Sequence, residues 1–180
     1  MAEVTLRQSP AVTATASLRL APAVTRWILR GDDAVLVTAG GAFGIALPTA
    51  CRAARAGDRA ALWLGPDEQL LLAPAGASAT VTAELESALA ALPHSLVEIS
   101  HRQVALHLSG PHAASLLNSG CPLDLHTDAF PVGMCTRTLF AKAEIVLWRT
   151  ATDGFHVEVW RSFTDYLVQL LREAAREFGL

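Results

Sequence analysis

The sequence is poor in charge and has no block of basic residues. Of its 180 residues, 17% are charged and 52% are hydrophobic, and the formal net charge is −3. This combination of low charge and high apolar content excludes an intrinsically disordered chain. Because there is no basic block, nucleic acid is not expected as a partner.

Long apolar runs are missing as well, so no membrane-spanning segment and no membrane partner are expected. The N-terminus has no basic start followed by a compact apolar core and is therefore a poor signal peptide. Three widely spaced cysteines, Cys51, Cys121 and Cys135, show no paired spacing that would indicate a secreted disulfide scaffold. These features together predict a cytoplasmic protein.

The patterns typical of metal and dinucleotide sites are also lacking. The six histidines form no HxxxH, HExxH or Cys/His cluster, which argues against a zinc site. Gly40, Gly41 and Gly44 do not form the GxGxxG that opens a helix in dinucleotide-binding folds. We therefore predict no catalytic, cofactor-binding or metal-binding residue on this chain.

The high apolar content has two interpretations. It either reflects an alanine-rich composition, since alanine is a weak driver of burial, or it provides a surface for another subunit.

Apolar alternation predicts strand pairs in the first half of the chain. Residues 26–29 and 34–38 are expected to be strands around a turn at 30–33. Residues 60–64 and 69–73 flank a second, stronger turn. Pro48 is expected to open a short helix through about residue 55.

Helices with an apolar face are predicted over residues 81–92 and 163–174. Thr80 is expected to cap the first, and Ser162 with Asp165 the second. Ser109 is expected to cap a shorter helix, which Gly120 ends in a left-handed conformation. Strands are predicted at residues 95–99, 103–108, 137–140, 144–148 and 155–160.

The strand–turn–strand–helix order at residues 63–92 is repeated at 147–178. This repetition predicts an α+β fold of two similar small halves, with mainly antiparallel sheets and packed helices. We expect an extended arm over residues 1–24 and one domain over 25–180, with possible subdomains at 25–94 and 95–180.

Five residues are candidates for contact with a ligand or partner. His101 and Arg102 precede a strand and either grip an anion or form a structural ion pair. Asp124 either orients a ligand amine or closes a turn. Trp160 faces away from the apolar residues of its strand and, with Arg161, is either an interface anchor or part of a core.

Cys121, between Gly120 and Pro122, is a sixth candidate. It is either a nucleophile or, more in keeping with its surroundings, a buried structural thiol.

A series of motifs, in this order, resembles the gamma subunit family of heterotetrameric sarcosine oxidase. They are LGPDE at 64–68, SHRQVAL at 100–106, SGP at 109–111, GCPLDL at 120–125, FPVG at 130–133, KAEIVLW at 142–148 and VWRSF at 159–163. One departure is Gln69, where the family often has tryptophan. The resemblance also implies a fold related to the folate-binding domain of aminomethyltransferases.

The resemblance implies a scaffolding subunit with no cofactor of its own. The implied partners are an alpha subunit with NAD and tetrahydrofolate, a beta subunit with FAD, and a zinc-binding delta subunit; FMN is also implied on the partner subunits. Such a complex oxidises sarcosine to glycine. The alternatives are a stand-alone folate-binding or one-carbon transfer protein, and a subunit of a related N-methyl amino acid or imino acid dehydrogenase.

Overall fold

The computed structural model describes residues 16–178, which form two compact units. One unit contains the described residues up to Pro22 and those from His101 onward, and the other runs from Ala23 to Ser100. Each unit is built on a five-stranded antiparallel sheet with helices. The predicted α+β fold with two similar halves is therefore confirmed. Most of the predicted N-terminal arm, residues 1–15, lies outside the described residues.

The sheet of the first unit has the strand β10 (Gly154–Trp160) at its centre. Its strands, in spatial order, are β1 (Ser17–Leu20), β7 (Gln103–Ser109), β10 (Gly154–Trp160), β9 (Ala143–Ala151) and β8 (Cys135–Phe140). One face of β10 supplies Phe155, Val157 and Val159 to the core of this unit, as the alternation predicts. The helices α3 (Ala113–Asn118) and α4 (Thr164–Ala175) contribute Leu116 and Leu171 to the same core.

The sheet of the second unit is organised in the same way. Its strands, in spatial order, are β3 (Ala53–Ala56), β4 (Arg59–Gly65), β5 (Glu68–Pro74), β2 (Val24–Arg30) and β6 (Ser95–Glu98). The helices α1 (Asp33–Phe43) and α2 (Ser78–Leu89) complete a core around Trp27. No helix in the described part of the chain is long and apolar enough to cross a membrane.

The predicted strand at 34–38 is wrong, because these residues belong to α1. Asp32 caps this helix, its side chain accepting a hydrogen bond from the N–H of Val35 at 3.0 Å. Val35, Ala39 and Phe43 are buried at helical spacing. A short apolar run fits both the strand period and the helix period. Here the cap and the helical spacing of the buried residues produce a helix.

The helix predicted from Pro48 to residue 55 is also wrong. Residues of this segment form β3, which pairs antiparallel with β4 from Ala53 to Ala56. Gly57, with a φ of 57°, forms the turn between the two strands. Pairing with β4 satisfies the backbone of this segment, so it is extended rather than helical.

The predicted side-chain caps of α2, α3 and α4 are wrong. All three helices begin at other residues, and none of their N-cap positions makes a side-chain capping hydrogen bond. A 3₁₀ turn, Arg161–Phe163, precedes α4 and replaces the predicted capping box. The observed N-cap residues are Ala77, His112 and Phe163.

Gly120 ends the α3 region for a different reason from the one predicted. It is absent from the positive-φ glycines of the described residues, so it is not a left-handed cap. A Cβ at this position would lie 2.9 Å from Cζ of Phe140. Glycine is therefore required by the close approach of a buried aromatic ring.

Leucines on the apolar face of the terminal helix α4 differ in how deeply they are buried. Leu167 and Leu171 are completely buried, whereas Leu170 is only partly buried. We expect Leu171→Ala to reduce the free energy of unfolding by about 2–5 kcal/mol, because it removes buried methyl groups and leaves a cavity. Leu170→Ala should cost clearly less. Chemical denaturation of both variants checks this, and equal losses would contradict the described packing.

Candidate interaction site

Exposed aromatic and arginine side chains lie together where β10 ends. Trp160, the last residue of β10, is 41% exposed and pairs with Gln103 at the start of β7. The guanidinium carbon of Arg102 lies 4.8 Å from the centroid of the Trp160 ring, within cation–π distance. The backbone N–H of Arg161 donates to the carbonyl of Arg102 at 2.9 Å. The end of β10 is thereby fixed to the turn before β7.

The 3₁₀ turn and α4 add two more rings. Phe163 is 40% exposed, and its ring meets that of Tyr166 edge to face with centroids 6.1 Å apart. Arg161 is exposed beside them. We call the five residues Arg102, Trp160, Arg161, Phe163 and Tyr166 the aromatic–arginine surface.

The charges of this surface are not neutralised within the described chain. The side chains of Arg102 and Arg161 make no ion pair or hydrogen bond with any residue between 16 and 178. His101, next to Arg102 in the turn, is exposed as well. The structure thus brings together four of the five predicted contact residues: His101, Arg102, Trp160 and Arg161.

Asp124 is not part of this group. It lies on the loop after α3, where its Oδ1 accepts a hydrogen bond from the N–H of His126 at 2.8 Å. This is the side-chain-closed turn that was one of its two interpretations. Among the described residues no hydrogen bond or ion pair joins Asp124 to the aromatic–arginine surface.

A row of polar side chains crosses the other face of the first sheet. Nε2 of His107 lies 3.1 Å from Nδ1 of His156, and Nε2 of His156 lies 2.8 Å from Oε1 of Glu158. Glu158 is fully buried although it is acidic. With Glu158 ionised, Nε2–H of His156 donates to it, which orients the imidazole.

This row has two of the three parts of a catalytic triad, a carboxylate and an imidazole that it orients. On the side of His156 away from Glu158, the neighbouring group is the imidazole of His107 rather than a hydroxyl or thiol nucleophile. The alternation of β10 predicts that His156 and Glu158 share a face, but it does not reveal that this face is buried.

Arg149, on β9, is a buried cation that sequence patterns did not single out. Only 2% of the residue is exposed, and its NH1 and NH2 donate to the carbonyls of Phe130 and Leu125 at 2.8 and 3.1 Å. Burial lowers the pKa of Arg149 from its ordinary value, while the negative charge of Asp153 opposes that shift. The side chain fastens the long loop between α3 and β8 to the sheet.

Cys121 lies in the core of the first unit. It is buried, and its Sγ lies 3.9 Å from Oγ1 of Thr138. This is the environment of a structural thiol. Within residues 16–178 no group of three or more His, Cys, Asp or Glu side chains is placed to hold a metal ion.

Comparison with known proteins identifies the family of this sequence. The model of the sarcosine oxidase gamma subunit family matches residues 30–177. The sarcosine oxidase subunit gamma of Corynebacterium sp. (strain P-1) is 41% identical over 120 residues, which are 67% of this chain and 58% of that protein. The chain thus matches somewhat more than half the length of this relative.

Two solved structures share the fold. A chain of the heterotetrameric sarcosine oxidase from Corynebacterium sp. U-96, in complex with pyrrole 2-carboxylate, has a TM-score of 0.85 and 32% identity. That match covers 92% of this chain and 86% of the other. The glycine cleavage system aminomethyltransferase T from Bartonella henselae has a TM-score of 0.67 at 18% identity, covering 87% of this chain and 45% of the other. The predicted likeness to the aminomethyltransferase fold is therefore confirmed.

The role of Arg149 can be tested by substitution. Arg149→Met keeps the aliphatic stem but leaves the carbonyls of Phe130 and Leu125 without these donors, and we expect a loss of about 1–3 kcal/mol in the free energy of unfolding. The matched control is Arg176→Met, which removes an exposed arginine paired with Glu173. The control should change stability by no more than about 0.5 kcal/mol. Equal denaturation midpoints for the two variants would show that Arg149 does not stabilise the loop.

Proposed function

The chain belongs to the sarcosine oxidase gamma subunit family, and on this premise we propose that it is a non-catalytic subunit of a heterotetrameric complex that oxidatively demethylates sarcosine to glycine. The observation that carries the proposal is the likeness to a chain of a heterotetrameric sarcosine oxidase, which extends over 92% of this chain. The match of the family model to residues 30–177 supports it independently.

The proposed partners are subunits of alpha, beta and delta type. Oxidation of an N-methyl amine removes two electrons, and a redox cofactor must accept them. We place FAD on the beta-type chain, NAD and tetrahydrofolate on the alpha-type chain, zinc on the delta-type chain and FMN on one of these partners, as the family resemblance implies. The contribution of this chain is to fold stably and to hold partners in position.

We further propose that the complex is cytoplasmic. The three cysteines support this location, because their wide spacing has none of the pairing typical of a secreted disulfide scaffold.

The proposal predicts different behaviour for the isolated chain and the assembled complex. Purified alone, the chain should be colourless and should produce no hydrogen peroxide from sarcosine, because the flavins are bound elsewhere. Affinity purification of the tagged full chain from its own cells should yield a yellow assembly of several chains. Absorbance between 350 and 500 nm, about where protein-bound flavins absorb, and sarcosine-dependent peroxide production are the measurements.

Three results would contradict this proposal. Stoichiometric flavin on the chain alone would show that it carries the redox centre. A colourless monomer that binds tetrahydrofolate would favour the stand-alone one-carbon alternative. A yellow complex that oxidises another N-methyl or imino acid but not sarcosine would favour the related dehydrogenase.

A further inference from the structure

We infer that the aromatic–arginine surface receives a partner subunit, and that the partner's contact region is apolar at its centre and acidic at its rim. The inference rests on the proposed function and adds which face of this chain is used and which chemistry it requires. Trp160 would enter the apolar centre, while Arg102 and Arg161 would meet carboxylates.

The apolar part of the argument comes from two exposed rings. Trp160 and Phe163 are both about two-fifths exposed, and they are separated by only two residues of a 3₁₀ turn. Tryptophan and arginine are the residue types most enriched where binding energy is concentrated in interfaces. Two large exposed rings so close along the chain are less common on a monomer than scattered single residues.

These rings are already held in place. Trp160 is fixed by the strand pairing of β10 and by the cation–π contact with Arg102, and Phe163 packs edge to face on Tyr166. An ordered side chain loses less conformational entropy on association than a mobile one. The surface is therefore preorganised for contact.

The acidic rim follows from the unpaired cations. Arg102 and Arg161 are exposed and have no ion pair within the described part of the chain, although the chain as a whole carries a net charge of −3. Asp165, on the first turn of α4, is exposed nearby and pairs with neither. Guanidinium groups with free donors match carboxylates, which they bind through two parallel hydrogen bonds.

A second copy of this chain does not fit the surface. A two-fold interface places the same patch on both sides, so the two arginines of one copy would face those of the other. Such like-charge contact opposes association. Nucleic acid is disfavoured by the negative net charge of the chain.

The test uses the full chain and the purified assembly of the other subunits, with affinities measured by biolayer interferometry at low and high salt. Trp160→Ala should weaken binding by about thirtyfold or more, as expected for an aromatic anchor. Arg161→Gln should weaken it less, and Arg161→Glu should weaken it about tenfold further because its charge would repel the partner's carboxylates. The difference between the two Arg161 variants should shrink at high salt.

The controls are Val37→Ala, at an exposed apolar residue of the other unit, and Arg176→Gln, at an exposed arginine of the same unit. Both should bind like the unchanged chain. Circular dichroism and melting establish that each variant is folded. If Trp160→Ala unfolds, the comparison of Arg161→Gln with Arg161→Glu decides the result, because the Arg161 side chain is exposed and has no partner among residues 16–178.

The outcomes separate this inference from the proposed function. Failure of the unchanged chain to bind the flavin-containing subunits would overturn the proposed function and this inference with it. Normal binding by folded Trp160→Ala and Arg161→Glu would overturn the inference alone. Equal binding by Arg161→Gln and Arg161→Glu would show that the partner is not acidic here. A dimer of this chain that is lost in Trp160→Ala, or binding to anionic vesicles, would assign the surface to another occupant.

Discussion

The placement of β10 at the centre of the first sheet is the constraint on which the rest of that unit depends. The strand pairs with β7 on one side and β9 on the other, so its register fixes three strands together. Because side chains alternate along a strand, this register places Phe155, Val157 and Val159 in the core and His156 and Glu158 on the opposite face. The strand ends at Trp160, which its pairing with Gln103 holds at the surface. A register slip by one residue would move the core side chains to the opposite face and the polar side chains into the core.

The sequence predicts those helices and strands that are specified by the residue pattern within the element itself. The alternation of β10 and the helical period of α4 are strong over many residues, and both elements are found where expected. The strand predicted at 34–38 is wrong because a short apolar run fits both the strand period and the helix period. The cap that Asp32 forms favours the helix. The helix predicted after Pro48 is wrong because the extended conformation of this segment depends on pairing with β4. Local propensity carries no information about that pairing.

For the candidate site too, local patterns identify some residues, and only the tertiary structure identifies the others. His101, Arg102, Trp160 and Arg161 stand out in the sequence as residue types typical of interfaces, but only the folded chain brings the turn before β7 against the end of β10. Arg149 could not be found in this way, because its role depends on the carbonyls of Phe130 and Leu125, which lie 19 and 24 residues away along the chain. The burial of Glu158 is likewise a property of the tertiary structure. Membership of the gamma subunit family and the exposed aromatic–arginine surface are the two observations behind the proposal that this chain associates with partner subunits.

The most direct test of this account is amide hydrogen exchange, comparing the isolated chain with the same chain in its purified complex. The account predicts that exchange slows in the complex at residues 101–103 and 159–166, because docking buries the surface formed by the turn, the end of β10 and the start of α4. Unchanged exchange in both segments, with protection elsewhere on the chain, would contradict the assignment of this surface to a partner. Unchanged exchange throughout the chain would contradict its role as a subunit.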